Sequence, residues 1–393
     1  MKPKMRSRMK NTRTTMMVTA AGAAWMLLAA TGCSSSTNEP PNNDAGTDTG
    51  VDTAPPPPPV PIDVVAAGVR WVGRVDSTTD AAHPSFSWSG TGFVAKFMGT
   101  SLTAQLTTNG TNQIFKTVID GTPQAAFTAG GGVTRMYPLA TGLTSDVHTV
   151  ELYRQTEGPQ GQTQLTGLTT DGALMDPPPG PGRLIEVVGD SITCGYGDLG
   201  TLSDAECYTT ESHWDTYEAV AARMLGAEVS TIAASGRGVI RNYGGDTAGT
   251  MPMLYPLTLT NVSTSAWDFH IEPQAVVINL GTNDISNNKG DPGDAFRDTY
   301  VDLMTTIRTN YPDAWIIGII GPLLSGTDLT TIQGHIKDAV DILTAAGDQK
   351  VEFFNMIQTQ TADKFACQYH PNVAENMLMG AQLAGELSAK LGW

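Results

Sequence analysis

Four short segments between residues 189 and 371 carry residue types that can hydrolyse an ester. Ser191 ends a Gly-Asp-Ser segment and offers a hydroxyl nucleophile, and His370 offers an imidazole that can take its proton. Gly236 lies in Ser-Gly-Arg-Gly and presents an unobstructed backbone N–H, and Asn283 in Gly-Thr-Asn-Asp presents a side-chain amide. Such donors stabilise the oxyanion that develops during acyl transfer. Together the four residues indicate a serine-dependent acyl-transfer site.

The segments of Ser191, Gly236 and Asn283 each follow an apolar run that we predict to be a strand. Five such runs, bounded by turns, occupy residues 184–188, 229–233, 275–280, 315–320 and 351–356. Apolar residues recur at helical spacing over 217–225 and 296–307, and Asn372 with Glu375 forms a capping box for a last helix. The alternation predicts an α/β domain over 183–393, a three-layer fold whose parallel sheet is covered on both faces. Functional residues of such folds lie at the carboxyl ends of the strands.

Residues 62–175 have a different sequence pattern, because apolar and polar residues alternate along short segments. Period-two patterns at 86–88, 93–97, 102–106 and 150–152 are separated by turn residues rich in glycine. Short strands without a helical stretch predict an all-β sandwich of the jelly-roll kind. A Pro/Gly cluster between the two sequence patterns marks the boundary between the domains.

The N-terminus has the pattern of a leader. Residues 1–32 combine a basic stretch with a short apolar run and are predicted to be a lipoprotein signal peptide, which makes Cys33 the lipidated mature N-terminus. A plain signal peptide cleaved nearby, with Cys33 incidental, is the alternative. Residues 33–61 contain five consecutive prolines and no aromatic residue, which predicts a disordered acidic tether. The tether could also serve as a proline-rich ligand for a partner.

The charge of the chain restricts its partners. The formal net charge is −16, with 23 Lys and Arg against 39 Asp and Glu. Six of the basic residues lie in the first thirteen positions, so removal of the leader makes the protein more acidic still. Because an acidic surface repels phosphate backbones, we expect no nucleic-acid partner and favour a neutral substrate.

The order of the four segments resembles the SGNH, or GDSL-like, hydrolase superfamily. From about residue 66 to residue 393 the chain is similar to carbohydrate esterase family 2, acetyl esterases that carry a β-sandwich before the SGNH domain. Segments 70–74, 86–90, 97–101, 118–121 and 148–150 carry this narrower resemblance. The resemblance implies that Ser191 is the nucleophile and His370 the base. It also implies an oxyanion hole made by the N–H groups of Ser191 and Gly236 and the amide of Asn283.

One position departs from the superfamily pattern. SGNH enzymes usually place an aspartate three residues before the histidine, and this chain has Cys367 there. The resemblance to family 2 implies a Ser-His dyad in which another acceptor, such as a backbone carbonyl, holds the second ring nitrogen. Gln368 and Asp363 are alternative acceptors. Asp190 and Asp284, beside the candidate site residues, are expected to tie the active-site turns together by hydrogen bonds.

Three cysteines follow the leader, so an oxidising compartment would give one disulfide and one free thiol. Cys194 lies three residues after Ser191 and Cys367 three before His370, and both are therefore expected near the active site. The pairings Cys194–Cys207 and Cys194–Cys367 both remain open. The short, Gly-rich intervening loop favours Cys194–Cys207.

These observations predict a lipid-anchored carbohydrate O-acetyl esterase at the outer membrane or cell surface. The expected substrates are acetylated polysaccharides or oligosaccharides such as xylan or glucomannan, and the expected state is a monomer. No cofactor is needed for acyl transfer, and the remaining histidines have no spacing typical of a metal site. A short-chain or lipid esterase is one alternative, and a glycan-binding protein without catalysis is another.

Overall fold

The computed structural model describes residues 68–357 and 361–393. The predicted signal peptide, the lipidation site at Cys33 and the predicted tether lie outside the described residues. Over the residues that are described, no helix is both long enough and apolar enough to span a membrane.

The first part of the described chain consists of strands. They are β1 Arg70–Val72, β2 Ser85–Phe86, β3 Gly92–Gly99, β4 Leu102–Thr108, β5 Gln113–Ile119, β6 Thr122–Pro123, β7 Phe127–Ala129, β8 Thr134–Ala140, β9 Asp146–Arg154, β10 Thr163–Thr170 and β11 Ala173–Met175. One sheet has the order β1-β3-β9-β5-β6, with β11 added on β3 and β7 on β5, and the other has the order β2-β10-β4-β8. All of these pairs are antiparallel.

Alternation along the strands explains how the two sheets pack. In β4, Leu102, Ala104 and Leu106 are buried while the residues between them are half-exposed. These three side chains share one apolar cluster with Val150 and Leu152 of β9, in the other sheet. Since successive residues of a strand face opposite sides, each sheet places one apolar face on a common core. The prediction of an N-terminal all-β sandwich is confirmed.

The second part alternates strands and helices. Its strands are β12 Leu184–Gly189, β13 Glu228–Ala233, β14 Ala275–Asn279, β15 Trp315–Ile319 and β16 Val351–Phe353. Its helices are α1 Ser191–Cys194, α2 Tyr217–Leu225, α3 Met251–Leu254, α4 Thr282–Ile285, α5 Asp294–Asn310, α6 Gly326–Ala345 and α7 Val373–Leu391. The sheet order is β13-β12-β14-β15-β16 and every pair is parallel, as predicted.

The helices cover both faces of this sheet. One apolar cluster joins α2 and α7 to the sheet through Tyr217 and Leu383, and another joins α5 and α6 to it through Phe296 and Ile336. Helix α7 begins after Asn372, whose side chain accepts the Glu375 N–H at 3.1 Å, as the capping pattern predicts. The fold is therefore the three-layer arrangement expected for an SGNH domain.

A buried ion pair connects the two parts. Arg74, just after β1, donates Nη2 to the Glu186 carboxylate of β12 at 3.2 Å, and both side chains are fully buried. Its Nη1 also donates to the backbone carbonyls of Tyr255 and Leu257. A buried charge needs such partners, because an unpaired one would cost several kcal/mol. These contacts fix the β-sandwich against the parallel sheet.

Candidate active site

Ser191 lies at the carboxyl end of the central strand β12. The strand runs to Gly189, and the Asp190 side chain caps the following turn by accepting the Ile192 N–H at 3.1 Å. A β-carbon on Gly189 would lie 2.0 Å from Thr193 Oγ1, so only glycine allows the chain to turn this tightly. The turn leaves Ser191 as the first residue of α1, with 7% of its surface exposed. The hydroxyl is held in place and still reachable.

His370 is brought to this hydroxyl by the loop before α7. The distance from His370 Nε2 to Ser191 Oγ is 2.7 Å, although 179 residues separate them in the chain. The Tyr196 ring packs edge-on against the imidazole, with ring centroids 5.1 Å apart. This is the geometry that a nucleophile and its base need for acyl transfer.

The second imidazole nitrogen faces a neutral acceptor. His370 Nδ1 lies 3.2 Å from the carbonyl oxygen of Cys367. Because a carbonyl only accepts, Nδ1 carries the proton and Nε2 presents its lone pair to Ser191. Among the described contacts, neither the exposed Asp363 carboxylate nor the Gln368 side chain reaches the imidazole.

The turn before His370 has an unusual backbone. Gln368 and Tyr369 are consecutive residues with φ of 51° and 65°, in the left-handed region that non-glycine residues rarely adopt. This conformation aims the Cys367 carbonyl at His370 Nδ1. Strain of this kind, of order 1–3 kcal/mol per residue, persists where surrounding contacts enforce it. It provides a physical reason why the base can be oriented without a carboxylate.

Burial of the imidazole disfavours its charged form. It lowers the pKa of His370 from 6.5 to about 4, against the opposing effect of the backbone acceptors at Cys367 and Gln368. Above that pH the imidazole is neutral, which is the form that can accept the Ser191 proton. The base is therefore available well into the acid range.

The three candidate oxyanion donors converge from three strand ends. Gly236 follows β13 with φ of 75°, and Asn283 lies in α4 after β14. Within the described chain, the N–H groups of Ser191 and Gly236 have no internal acceptor. Asn283 Nδ2 donates to Asp190 Oδ2 at 3.0 Å and to the Arg237 carbonyl at 2.9 Å. The amide must release one of these bonds to reach an oxyanion.

The two buried aspartates beside the site connect its turns, as expected. Asp190 accepts hydrogen bonds from Ile192 and Asn283, and burial raises its pKa to about 7. Asp284 accepts the N–H groups of three successive residues, Val239, Ile240 and Arg241. The loops after β12, β13 and β14 are therefore held to one another around Ser191.

Comparison with known proteins places this site in a family. Residues 71–179 match the carbohydrate esterase 2 N-terminal domain, and residues 187–376 match the GDSL-like lipase/acylhydrolase family. A solved family two carbohydrate esterase from Clostridium thermocellum, in complex with cellohexaose, is 35% identical, with a TM-score of 0.79. The match covers 83% of this chain and 100% of that one. The chain belongs to carbohydrate esterase family 2.

Curated relatives of this family 2 esterase carry related names. The cellulase/esterase CelE of Acetivibrio thermocellus is 36% identical over 83% of the chain, and the match spans 40% of that larger protein. An acetylxylan esterase / glucomannan deacetylase of Cellvibrio japonicus is 28% identical, with 81% of this chain and 90% of the relative covered. The family 2 esterase is accordingly a hydrolase of the GDSL-like class.

The favoured disulfide Cys194–Cys207 is wrong, and so is the alternative Cys194–Cys367. Cys207 is bonded to Cys367, with Cα atoms 5.6 Å apart, and Cys194 is a free, buried thiol. A β-carbon on Gly197 would lie 2.6 Å from Cys367 Cβ and 2.8 Å from Cys207 Cβ, so the absence of a side chain there makes room for the bridge. The disulfide anchors the turn that carries His370.

Cys194 belongs to a buried cluster that the sequence did not reveal. Among the described residues, one group has ligand atoms close enough together to hold a metal ion. It consists of the Cys194 thiol and the carboxyl groups of Glu157 and Glu211, whose ligand atoms all lie within 4.8 Å of one another. Burial raises the pKa of both Cys194 and Glu211 well above their ordinary values, so these groups keep their protons. The thiol donates to Glu157 Oε2 at 3.7 Å. Hydrogen bonding accounts for this contact without an ion.

The main chains of two exposed tyrosines adjoin candidate site residues. Tyr369 precedes the base and is 64% exposed, and Tyr243, 53% exposed, donates its N–H to the Gly236 carbonyl at 2.8 Å. Aromatic rings in such positions offer an apolar face with a polar tip.

Proposed function

We propose that this family 2 esterase removes acetyl groups from plant-type polysaccharides through a Ser191–His370 dyad. The observation that carries the proposal is the 2.7 Å contact between Ser191 Oγ and His370 Nε2, with Nδ1 bound to the Cys367 carbonyl. This geometry fixes the tautomer in which the lone pair of the base points at the hydroxyl proton.

The reaction proceeds through an acetyl-enzyme. Ser191 Oγ attacks the acetyl carbonyl carbon while His370 Nε2 takes the hydroxyl proton. The resulting oxyanion accepts hydrogen bonds from the N–H groups of Ser191 and Gly236, and from Asn283 once its amide releases an internal acceptor. The imidazolium returns the proton to the departing sugar oxygen. Water then attacks the acetyl-enzyme with His370 again as base, which releases acetate and restores Ser191.

The site chemistry and the relatives support a neutral carbohydrate as substrate. The relatives named above include an acetylxylan esterase / glucomannan deacetylase and an esterase bound to cellohexaose. Tyr369 directly precedes His370, and Tyr243 donates its N–H to the Gly236 carbonyl; both side chains are exposed and suit the apolar face of a sugar. The net charge of −16 disfavours strongly anionic substrates.

The location of the enzyme is part of the proposal. A basic stretch and an apolar run that ends at Cys33 support export followed by lipidation of that cysteine, at the outer membrane or cell surface. The Cys207–Cys367 disulfide suits an oxidising compartment. Cys33→Ala should move the protein to the soluble fraction. Mass spectrometry that finds an unmodified mature N-terminus elsewhere would exclude the anchor.

A substrate panel tests the activity. Acetate release is measured from acetylated xylan, acetylated glucomannan and an aryl acetate, beside aryl esters of longer acids, for the wild type and for Ser191→Ala. We expect rapid release from the polysaccharides, slower turnover of longer esters, and no turnover by the variant. Preference for the longer esters would favour a lipid esterase. Glycan binding without turnover by the wild type would instead favour a binding protein.

A further inference from the structure

A carboxylate from the β-sandwich reaches into the catalytic site. Glu157 follows β9 in the loop to β10, and only 3% of its surface is exposed. Its Oε2 accepts the backbone N–H of Ser235 at 2.7 Å and the thiol of Cys194 at 3.7 Å. Ser235 directly precedes Gly236, and Cys194 ends the helix that begins with Ser191. One oxygen thus connects the oxyanion loop with the nucleophile helix.

We propose that Glu157 is a positioning residue of the esterase: its carboxylate holds the Ala234–Ser235 peptide, and thereby fixes the Ser235–Gly236 peptide that follows it with the Gly236 N–H facing the reacting carbonyl. This inference rests on the role proposed above for Gly236.

The main chain of Glu157 is itself fixed. Its N–H donates to Glu211 Oε1 at 3.0 Å, and its carbonyl accepts Arg154 Nη2 at 2.9 Å. Arg154 is fully buried and also donates Nη1 to Gln113 Oε1 at 2.9 Å. A β-carbon on the next residue, Gly158, would lie 2.3 Å from Thr260 Oγ1, so the loop sits directly on the catalytic domain. The Glu157 carboxylate is therefore held by a fixed main chain.

Gly236 needs this support because it has no side chain to hold its conformation. With φ of 75° it occupies a region where glycine has wide freedom. Glu157 accepts the Ser235 N–H and so holds the Ala234–Ser235 peptide, while the Tyr243 N–H donates to the Gly236 carbonyl at 2.8 Å and holds the peptide after Gly236. Between these two bonds, the Gly236 N–H is left with no internal acceptor in the described chain. Preorganised donors of this kind stabilise an oxyanion without reorganisation during the reaction.

The test compares Glu157→Ala with a matched control from the same loop. Gln155, 1% exposed, accepts the Trp214 N–H at 2.8 Å, and no hydrogen bond among the described residues joins its side chain to Ser191, Gly236 or His370. We expect Glu157→Ala to lower kcat/KM for an aryl acetate by about 10²-fold, as the loss of one oxyanion donor does. Gln155→Ala should lower Tm while its kcat/KM stays near that of the wild type. Equal losses of kcat/KM in the two variants would overturn the proposal.

A second readout separates positioning from general support of the fold. A boronic acid forms a tetrahedral adduct with a serine hydroxyl and so resembles the transition state. Its affinity should fall in Glu157→Ala by the same factor as kcat/KM, whereas the affinity for an unacetylated cello-oligosaccharide should not change. If the affinities for the boronic acid and for the cello-oligosaccharide both fell as Tm fell, Glu157 would have only a structural role and the proposal would be wrong.

Two conservative variants decide the matter even if Glu157→Ala does not fold. Glu157→Gln keeps an oxygen at the same reach and should retain most of the activity, while Glu157→Asp is one methylene shorter and should lose it. The opposite order would show that charge matters instead of the hydrogen bond to Ser235, and would contradict the proposal. Wild-type turnover with an inactive Ser191→Ala shows that the proposed site itself holds, so failure of either inference can be recognised.

Discussion

The depressed pKa of His370 predicts an unusual pH profile. In the free enzyme the base must be neutral, so kcat/KM should fall as pH decreases through the His370 pKa of about 4 and not through 6.5. At about pH 5, a base with pKa about 4 is about 90% neutral, whereas one with pKa 6.5 would be about 3% neutral. At that pH the neutral fraction of His370 should therefore be about 30 times larger than that of a histidine with the ordinary pKa.

The assay is acetate release from an aryl acetate at low substrate concentration across the acid range. Asp190, with a pKa of about 7, lies beside the nucleophile, so its titration must be separated from that of the base. Asp190→Asn removes the titrating group while its amide oxygen can still accept the Ile192 N–H. The variant loses the hydrogen bond from Asn283, which lowers the rate at every pH without adding a titration, so only the shape of the pH profile is compared. An acid limb near pH 6.5 or above that persists in Asp190→Asn would refute the account of His370.

Acid also weakens the fold through the same residue. A histidine whose pKa is lower in the folded than in the unfolded chain makes the unfolded chain bind more protons between the two values, so stability falls as pH drops from 6.5 towards 4. Circular dichroism at each pH, with assay of enzyme returned to neutral pH, separates this effect from titration of the active base.

Three further outcomes follow from the contacts of the site. The double variant Cys207→Ala/Cys367→Ala removes a disulfide between residues 160 apart in the chain. Its free energy of unfolding should fall by about 5 kcal/mol from the lost loop constraint, which lowers the urea midpoint. Under conditions in which it folds, it should keep far more activity than His370→Ala. Asp363→Asn should leave kcat unchanged, since a displaced triad acid would instead cost about 10⁴-fold. Asn283→Ala should lower kcat by about 10²–10³-fold if its amide reaches the oxyanion, and a loss below about tenfold would assign it to the scaffold alone.

The fold could be predicted from sequence because its signals are local. Apolar runs with turns at their ends marked the five strands of the parallel sheet, and alternation marked the sandwich. Since parallel strands end at one edge, the same pattern indicated that Ser191, Gly236 and Asn283 would converge. Helix α6 was not identified, because its mixed polar and apolar segment gave a weaker pattern than α5.

The contacts that the sequence could not indicate are long-range. The short loop between Cys194 and Cys207 suggested a disulfide, but Cys194 faces Glu157, and the bridge forms from Cys207 to Cys367, where Gly197 makes room. Glu157 itself had no local signal, because its role depends on the β-sandwich loop packing against the catalytic sheet. Its buried carboxylate follows a strand in one domain and acts on a peptide in the other.

Covalent labelling tests the central claim, that Ser191 activated by His370 carries the acetyl transfer. A fluorophosphonate reacts with an activated serine, and peptide mapping identifies the residue that it modifies. We predict a single modification at Ser191 that abolishes acetate release from acetylated xylan, weak labelling in His370→Ala, and none in Ser191→Ala. Loss of activity with the label on another residue, or acetate release by Ser191→Ala, would contradict the account.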